Sequence, residues 1–263
     1  AKVTKIVTAR KFVELGSLEP LIEELSERFE IIYLEDVREK LSLKDKLAGG
    51  LGPVFPSLFK AATSYKKTGV VLFTSGTEGD PKGVVLSHEN VMANVEQVRA
   101  HIELFPDKDV LFNPLPTFHC FGLTVGAVLP IVAGIKTIFH PTPLQPKEIA
   151  KRIKSTQSTI LLATDTFISQ YARAGDQGDL NSLRLSVCGA ERVRDETRQA
   201  AEKRFGFEVL EGYGVTEGSP VLAANQPGDI RSGTVGKLLP AVETRLEPVE
   251  GLEDAGRLFV RGP

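Results

Sequence analysis

Ten consecutive residues, Thr74-Ser75-Gly76-Thr77-Glu78-Gly79-Asp80-Pro81-Lys82-Gly83, set hydroxyls, glycines and one lysine behind the apolar run Val70-Val71-Leu72-Phe73. That is the chemistry of a phosphate cradle. Glycines let backbone N–H groups approach an anion, Thr74, Ser75 and Thr77 offer hydroxyl donors, and Lys82 adds a mobile positive charge. Val70–Phe73 reads as a buried strand. Ser87 reads as the N-cap of a helix whose apolar positions Val91, Val95, Val98 and Ile102 recur at helical spacing, so the expected unit is strand–loop–helix. An ordinary P-loop nucleotidase is disfavoured, because Pro81 and Gly83 stand where that motif needs Gly before the lysine and Ser or Thr after it.

A second constellation, Glu211-Gly212-Tyr213-Gly214-Val215-Thr216-Glu217, follows Val209-Leu210 and is expected where a strand ends and the chain turns. Tyr213 can present a flat face to a purine, Thr216 a hydroxyl to phosphate, and Glu217 a hard carboxylate oxygen to Mg²⁺. Gly189-Ala190-Glu191 ends another strand, Leu185–Val187, just before a helical pattern over 194–205. On its own that tripeptide fits a tight strand-to-helix turn equally well. His119 sits among apolar residues in Pro114-Leu115-Pro116-Thr117-Phe118-His119-Cys120-Phe121-Gly122, where a packed core histidine is the default reading. His88, His101 and His140 show no ligand spacing with cysteine or carboxylate, which argues against a zinc site.

Taken together, these segments resemble the signatures of the adenylate-forming superfamily, which includes acyl-CoA synthetases, luciferases and peptide synthetases. The resemblance implies that Thr74, Ser75, Gly76, Thr77, Glu78, Gly79 and Lys82 grip the phosphates of ATP. It implies that Gly189, Ala190 and Glu191 wall the adenine, with Glu211, Gly212, Tyr213, Gly214 and Thr216 completing the nucleotide site and Glu217 holding Mg²⁺. Lys82, Thr216 and Glu217 would then serve catalysis, and His119, Phe118 and Gly122 would line the acyl pocket. Within the superfamily, the Thr-Glu-Gly-Asp form of the loop, Ala93–Gln97, Phe121–Gly126, Tyr171-Ala172-Arg173 and Glu211–Glu217 most resemble the synthetase part of bifunctional 2-acylglycerophosphoethanolamine acyltransferase/acyl-[acyl-carrier-protein] synthetases. That implies a fatty acid as substrate, acyl carrier protein or CoA as thiol acceptor, and a place at the cytoplasmic face, with any membrane association made by parts outside this chain. The family's Tyr-x-x-Gly-Asp motif and its small C-terminal domain with the adenylation lysine are not among these 263 residues, so the resemblance implies an incomplete adenylation domain with little turnover by itself.

The elements that must position these residues alternate along the chain. Strands are expected at Lys5–Val7, Ile31–Leu34, Val70–Phe73, Lys136–Phe139, Thr159–Leu162, Leu185–Val187 and Glu208–Leu210. Helices are expected at Leu18–Phe29, Leu43–Leu47, His88–His101, Pro146–Ile153, Phe167–Ala174 and Arg194–Phe205. That order implies an α/β fold of layered sheets with flanking helices over residues 1–225. From 226 to 263 the pattern changes to short strands and turns, at 233–237, Val242–Leu246 and Arg257–Val260, the expected start of a small β subdomain. Phe121–Ile135 is apolar but interrupted by Gly122, Gly126, Pro130 and Gly134, and is read as a buried helix beside the acyl pocket. A net charge of −2 gives no support for nucleic-acid binding, and only two cysteines, Cys120 and Cys188, suit a reducing compartment.

Overall fold

The computed structural model describes residues 3–59, 64–74, 80–251 and 255–263, with the side chains of 58 and 59 set aside. Ser75, Gly76, Thr77, Glu78 and Gly79, the centre of the expected phosphate cradle, lie outside the described residues. The chain divides into two compact units, Ala1–Ser64 and Tyr65–Pro263.

In the first unit, β1 (Lys5–Thr8) pairs in parallel with β2 (Glu30–Tyr33), and helices Arg10–Gly16 and Glu19–Ser26 make the crossover. Helix Leu43–Leu51 begins with a reciprocal cap, in which the Ser42 hydroxyl accepts from the Asp45 N–H while the Asp45 carboxylate accepts from the Ser42 N–H. Among the described residues of this unit only Val13 is fully buried.

The second unit opens with a correction to the expected strand–loop–helix. β3 (Thr68–Thr74) is followed by an antiparallel partner, β4 (Lys82–Ser87), and the helix His88–His101 begins only after it. The sequence hid β4 because Val84, Val85 and Leu86 follow a Gly-rich stretch directly and run without a break into the cap. Thr74 and Lys82 are register partners at one end of this antiparallel pair. Ser87 caps as expected: its hydroxyl accepts from the Asn90 N–H, and Asn90 returns a bond to the Ser87 N–H.

The main sheet is built from β5 (Val110–Asn113), β6 (Lys136–Phe139), β7 (Ile160–Ala163), β8 (Leu185–Cys188), β9 (Glu208–Gly214), β10 (Val221–Ala224) and β11 (Lys237–Leu238), in the order β11-β10-β9-β8-β7-β5-β6. The five strands from β6 to β9 are parallel; β10 and β11 are antiparallel. β7 is the central one of the five parallel strands and reads Ile-Leu-Leu-Ala with all four residues buried, as a strand covered on both faces must. Alternation divides it: Leu161 and Ala163 join the core beneath helices Pro146–Thr156, Asp165–Ala174 and Asp195–Phe205, and Ile160 and Leu162 join the core against His88–His101 and 120–133. The expected buried helix is present as Cys120–Leu123, a π-helical turn Thr124–Val128 and Leu129–Ala133. A hairpin of β12 (Glu243–Pro248) and β13 (Gly256–Arg261) follows, whereas of the strand expected at 233–237 only Lys237 is extended, so β11 is two residues long. The expected boundary at 225/226 falls inside the main sheet, between β10 and β11.

β9 also runs four residues further than expected, through Gly214, so Glu211 lies within a strand. Its carboxylate is 5% exposed and accepts from the Val193 N–H at 3.2 Å and from Arg198 at 3.2 Å. Arg198 also donates to the Val209 carbonyl. Glu211→Ala therefore leaves a buried guanidinium unpaired and should cost about 3–5 kcal/mol, while the double replacement Glu211→Met with Arg198→Met should recover most of it. Urea midpoints of the two variants check this; a single variant as stable as the parent would show that the pair is not structural.

Candidate functional site

Parallel strands end together, and here that brings the two motifs side by side. Cys188 is the register partner of Glu211, so the chain leaving β8 at Gly189-Ala190 lies beside Gly212-Tyr213-Gly214 of β9. Ala190 adopts a left-handed conformation, φ 66°, a strained choice for a residue with a Cβ. Gly214 has a steric reason: a Cβ there would sit 2.2 Å from the Pro220 carbonyl oxygen of the returning chain. Tyr213 stands 40% exposed between the two glycines, with its ring available to a flat partner.

These ends open into a cavity of ≈ 180 Å³. Its mouth is formed by Gly189, Ala190, Gly212–Thr216 and His119, and its depth by aliphatic side chains of β5, β7 and β8 and of helices His88–His101 and 120–133. Thr216 donates its hydroxyl to Cys120 Sγ at 3.4 Å, tying the turn after β9 to the start of helix Cys120–Leu123. His119 caps that helix, with Nδ1 accepting from the Phe121 N–H at 3.3 Å. A nitrogen that accepts carries no proton, so the ring proton sits on Nε2 and is available to an incoming acceptor. Burial lowers the His119 pKa, which favours the neutral ring. Burial raises the pKa of Cys120, with Glu217 adding to the effect, and burial raises that of Cys188 strongly, so both remain thiols.

Of the residues the motifs single out, Gly189, Ala190, Gly212, Tyr213, Gly214, Thr216 and His119 meet in this one lining. Others do not. Phe118 is 77% exposed and outside it, and Gly122 is packed against the backbone, where a Cβ would meet the Pro116 carbonyl oxygen at 2.2 Å. Those two corrections leave His119 as the lining member of the expected trio. Glu191 turns away and accepts from the Thr166 N–H and hydroxyl at 2.9 and 2.8 Å. Glu211 is given to the ion pair within the core. Glu217 is exposed, beside the pocket rather than in it, and makes no ion pair among the described residues. Thr74 and Lys82 are the hairpin ends, and β4 brings Cα atoms within 8 Å of the turn Thr216–Gly218. The sequence reading missed the deep wall, Ile160, Leu162, Leu185 and Val187; the signal was there, in the alternate positions of two expected strands.

A carboxylate that makes no ion pair among the described residues, three residues past the end of β9, suits one cation ligand, the rest coming from phosphate and water. No cluster of three or more His, Cys, Asp or Glu side chains suited to a metal occurs among the described residues. Glu217 thus fits Mg²⁺ as a single-carboxylate holder, not as part of a protein cage. Among the described residues no helix is long and apolar enough to cross a membrane.

Comparison with known proteins agrees with this architecture. The long-chain-fatty-acid–CoA ligase of Yersinia pestis is 32% identical over 206 residues, 74% of this chain and 36% of that protein. Probable 4-coumarate–CoA ligase 3 of Dictyostelium discoideum is 31% identical over 208 residues, 75% of this chain and 38% of that protein. This chain therefore spans little more than a third, 36% and 38%, of the length of these relatives. Among solved structures, ATP-bound MatB from Rhodopseudomonas palustris matches with a TM-score of 0.68 at 28% identity, over 77% of this chain and 41% of that one. O-succinylbenzoate coenzyme A synthetase (MenE) from Bacillus subtilis, in complex with ATP and magnesium ion, matches over 98% of this chain and 50% of its own with a TM-score of 0.77, a likeness of fold at 18% identity. The model of the AMP-binding enzyme family matches residues 10–263, and the chain belongs to that family.

Proposed function

We propose that the protein activates a fatty acid with ATP, giving an acyl-adenylate and pyrophosphate, and passes the acyl group to a thiol. The observation that carries this reading is one cavity with a polar, glycine-lined mouth and an aliphatic depth. A carboxylic acid with a hydrocarbon tail fits it head outward, because a carboxylate in an apolar interior is far costlier than one at the rim. The carboxylate oxygen attacks the α-phosphorus of ATP and the bond to pyrophosphate breaks. Tyr213 offers its face to adenine, with Gly189 and Ala190 opposite. The His119 Nε2–H donates at the mouth, and the Thr216 hydroxyl joins it on turning away from Cys120 Sγ. Lys82, at the foot of the hairpin, supplies positive charge toward the phosphates as the leaving group departs. With Glu217 as its protein carboxylate, Mg²⁺ would supply Lewis-acid neutralisation of the triphosphate.

Two readings of the acceptor thiol differ in support. The relatives' names favour CoA. The finer resemblance favours acyl carrier protein, but several residues that carry it hold the fold: Asn94 bonds the Val221 backbone and Gln97, Gln97 donates to the Pro240 carbonyl, and Tyr171 is fully buried with its hydroxyl on the Pro143 carbonyl. Residues committed to packing say little about a partner, so CoA is the reading we favour, with carrier protein second. Acceptance of the acyl group by CoA against acyl carrier protein, after pyrophosphate release, separates them.

In the whole protein, Lys82→Ala should lower kcat/KM for ATP by about 10²–10³-fold, the scale of one lost charge-stabilising donor, and leave fatty-acid affinity unchanged. ATP–pyrophosphate exchange and acid titration read the two separately; an unchanged ATP dependence removes Lys82 from the phosphate site. Glu217→Gln keeps the size and loses the charge, so the Mg²⁺ concentration for half-maximal exchange should rise. An identical Mg²⁺ titration would make Glu217 a bystander.

His119 adds a pH dependence whose sign follows from its lowered pKa. The neutral ring is favoured by the fold, so its contribution is present above the ordinary histidine value of about 6.5 and is lost as pH falls through the depressed folded value. His119→Asn retains an acceptor for the Phe121 N–H and does not titrate. Between pH 7 and 5 the parent's urea midpoint should therefore fall more steeply than the variant's; parallel curves would mean that His119 is not the group responsible.

A further inference from the structure

We infer that the cavity takes a hydrocarbon chain of about seven to ten carbons and is closed beyond that by the row Leu111, Ile160 and Leu185, which makes medium-chain acids the preferred class. The inference rests on the reading of this cavity as the acyl site and goes on to its depth.

Side chains alternate across a strand, so Leu185, Val187 and Gly189 share one face of the β8 line, as Ile160 and Leu162 share one face of β7. The register stacks them into rows. Leu111 pairs with Ile160 and Ile160 with Leu185; Leu162 pairs with Val187; the open end is Gly189 at the mouth. The three residues of the innermost row are each 1% exposed and belong to one packed cluster with Val98 and Ile102 of helix His88–His101. From Leu185 to Gly189 is four residues, about 13 Å at roughly 3.3 Å per residue. An extended hydrocarbon with bonds of about 1.5 Å advances about 1.3 Å per carbon along its zigzag, so about ten carbons span that depth.

Volume gives an independent figure. An engineered apolar cavity of about 150 Å³ takes a benzene ring, six carbons. In proportion, ≈ 180 Å³ takes about seven. The two measures bracket a medium chain, and both fall well short of a sixteen-carbon one.

The test is equilibrium binding of a series of straight-chain carboxylates, from hexanoate to octadecanoate, by displacement of a fluorescent fatty acid without ATP or thiol. Affinity should rise about fourfold per methylene as each is buried, then break near ten carbons and stay flat or fall. Leu162→Phe fills the second row, two residues or about 6.6 Å nearer the mouth, and should move the break down by about five carbons. Ile160→Val, a conservative change in the innermost row, should move it up by about one and covers the case in which the larger side chain prevents folding. Affinity that climbs unbroken to hexadecanoate, a break that neither folded variant moves, or no binding of any acid would overturn the inference. The arms also separate it from the reaction reading. A break near ten carbons without ATP–pyrophosphate exchange leaves the depth standing and removes adenylation, whereas exchange that is fastest with hexadecanoate does the reverse.

Discussion

The site depends on what Glu211 holds. Its carboxylate takes the Val193 N–H from the segment after β8 and the Arg198 guanidinium from the helix beyond, and its own carbonyl accepts from both the backbone and the side chain of Asn225. Three residues, Val193, Arg198 and Asn225, are pinned to one strand residue, two places before Tyr213. A free carboxylate at that depth would be expensive, and the Arg198 guanidinium together with the Val193 N–H is what makes it tolerable. The cost has a structural return. The wall Gly189–Ala190 and the strand carrying Tyr213 cannot drift apart without exposing an ion pair, so the width of the cleft between them is fixed.

Strand register carries that constraint inward. Because Cys188 is level with Glu211, residues further along either strand are level too, and a loop from one faces a loop from the other. The same alternation that places Leu161 and Ala163 in one core places Ile160 and Leu162 along the cavity, so the wall and the fold are one set of residues. A substitution in the lining is a core substitution. Stability and the shape of the cavity are coupled here, and conservative changes of volume are the ones a fold of this kind tolerates.

Most of the fold was legible in the sequence because its signals are local. Ser87 with Asn90, Pro146 at a first helical position, and the period of Val91, Val95 and Val98 all act within a few residues. What was hidden depends on partners far along the chain. β4 needs β3 to become a strand, and β5 is four residues beside Pro114 whose apolar character is shared by many loops. The site was legible in its mouth, where Gly-rich motifs require unusual backbone approach. It was not legible in the assignment of carboxylates: Glu211, Glu191 and Glu217 all occur in motif segments, yet one is an internal clamp, one a cap for Thr166 and one exposed. Residue type gives the chemistry available; only the direction of the side chain gives its use. Phe118 shows the same limit, since an aromatic beside His119 in sequence is largely exposed and outside the cavity lining.

Charge is arranged around the cavity so that the interior stays neutral. Lys82, Glu191 and Glu217 are outside the lining, while burial disfavours the charged forms of His119, Cys120 and Cys188 within it. A thiolate at Cys120 would face Thr216 and repel an incoming carboxylate; its raised pKa keeps the sulfur a weak acceptor for the Thr216 hydroxyl instead. An amphipathic acid then meets a one-way gradient. Its tail gains by leaving water for the aliphatic depth, and its carboxylate loses by following, because the described residues of the lining include no Lys or Arg and few donors to replace its hydration. Both ends of the ligand select the same orientation, tail inward and head beside Tyr213, Thr216 and His119. On the proposed reading, the reacting oxygen would therefore be presented at the strand ends by the distribution of polarity, before any specific contact to the carboxylate is made.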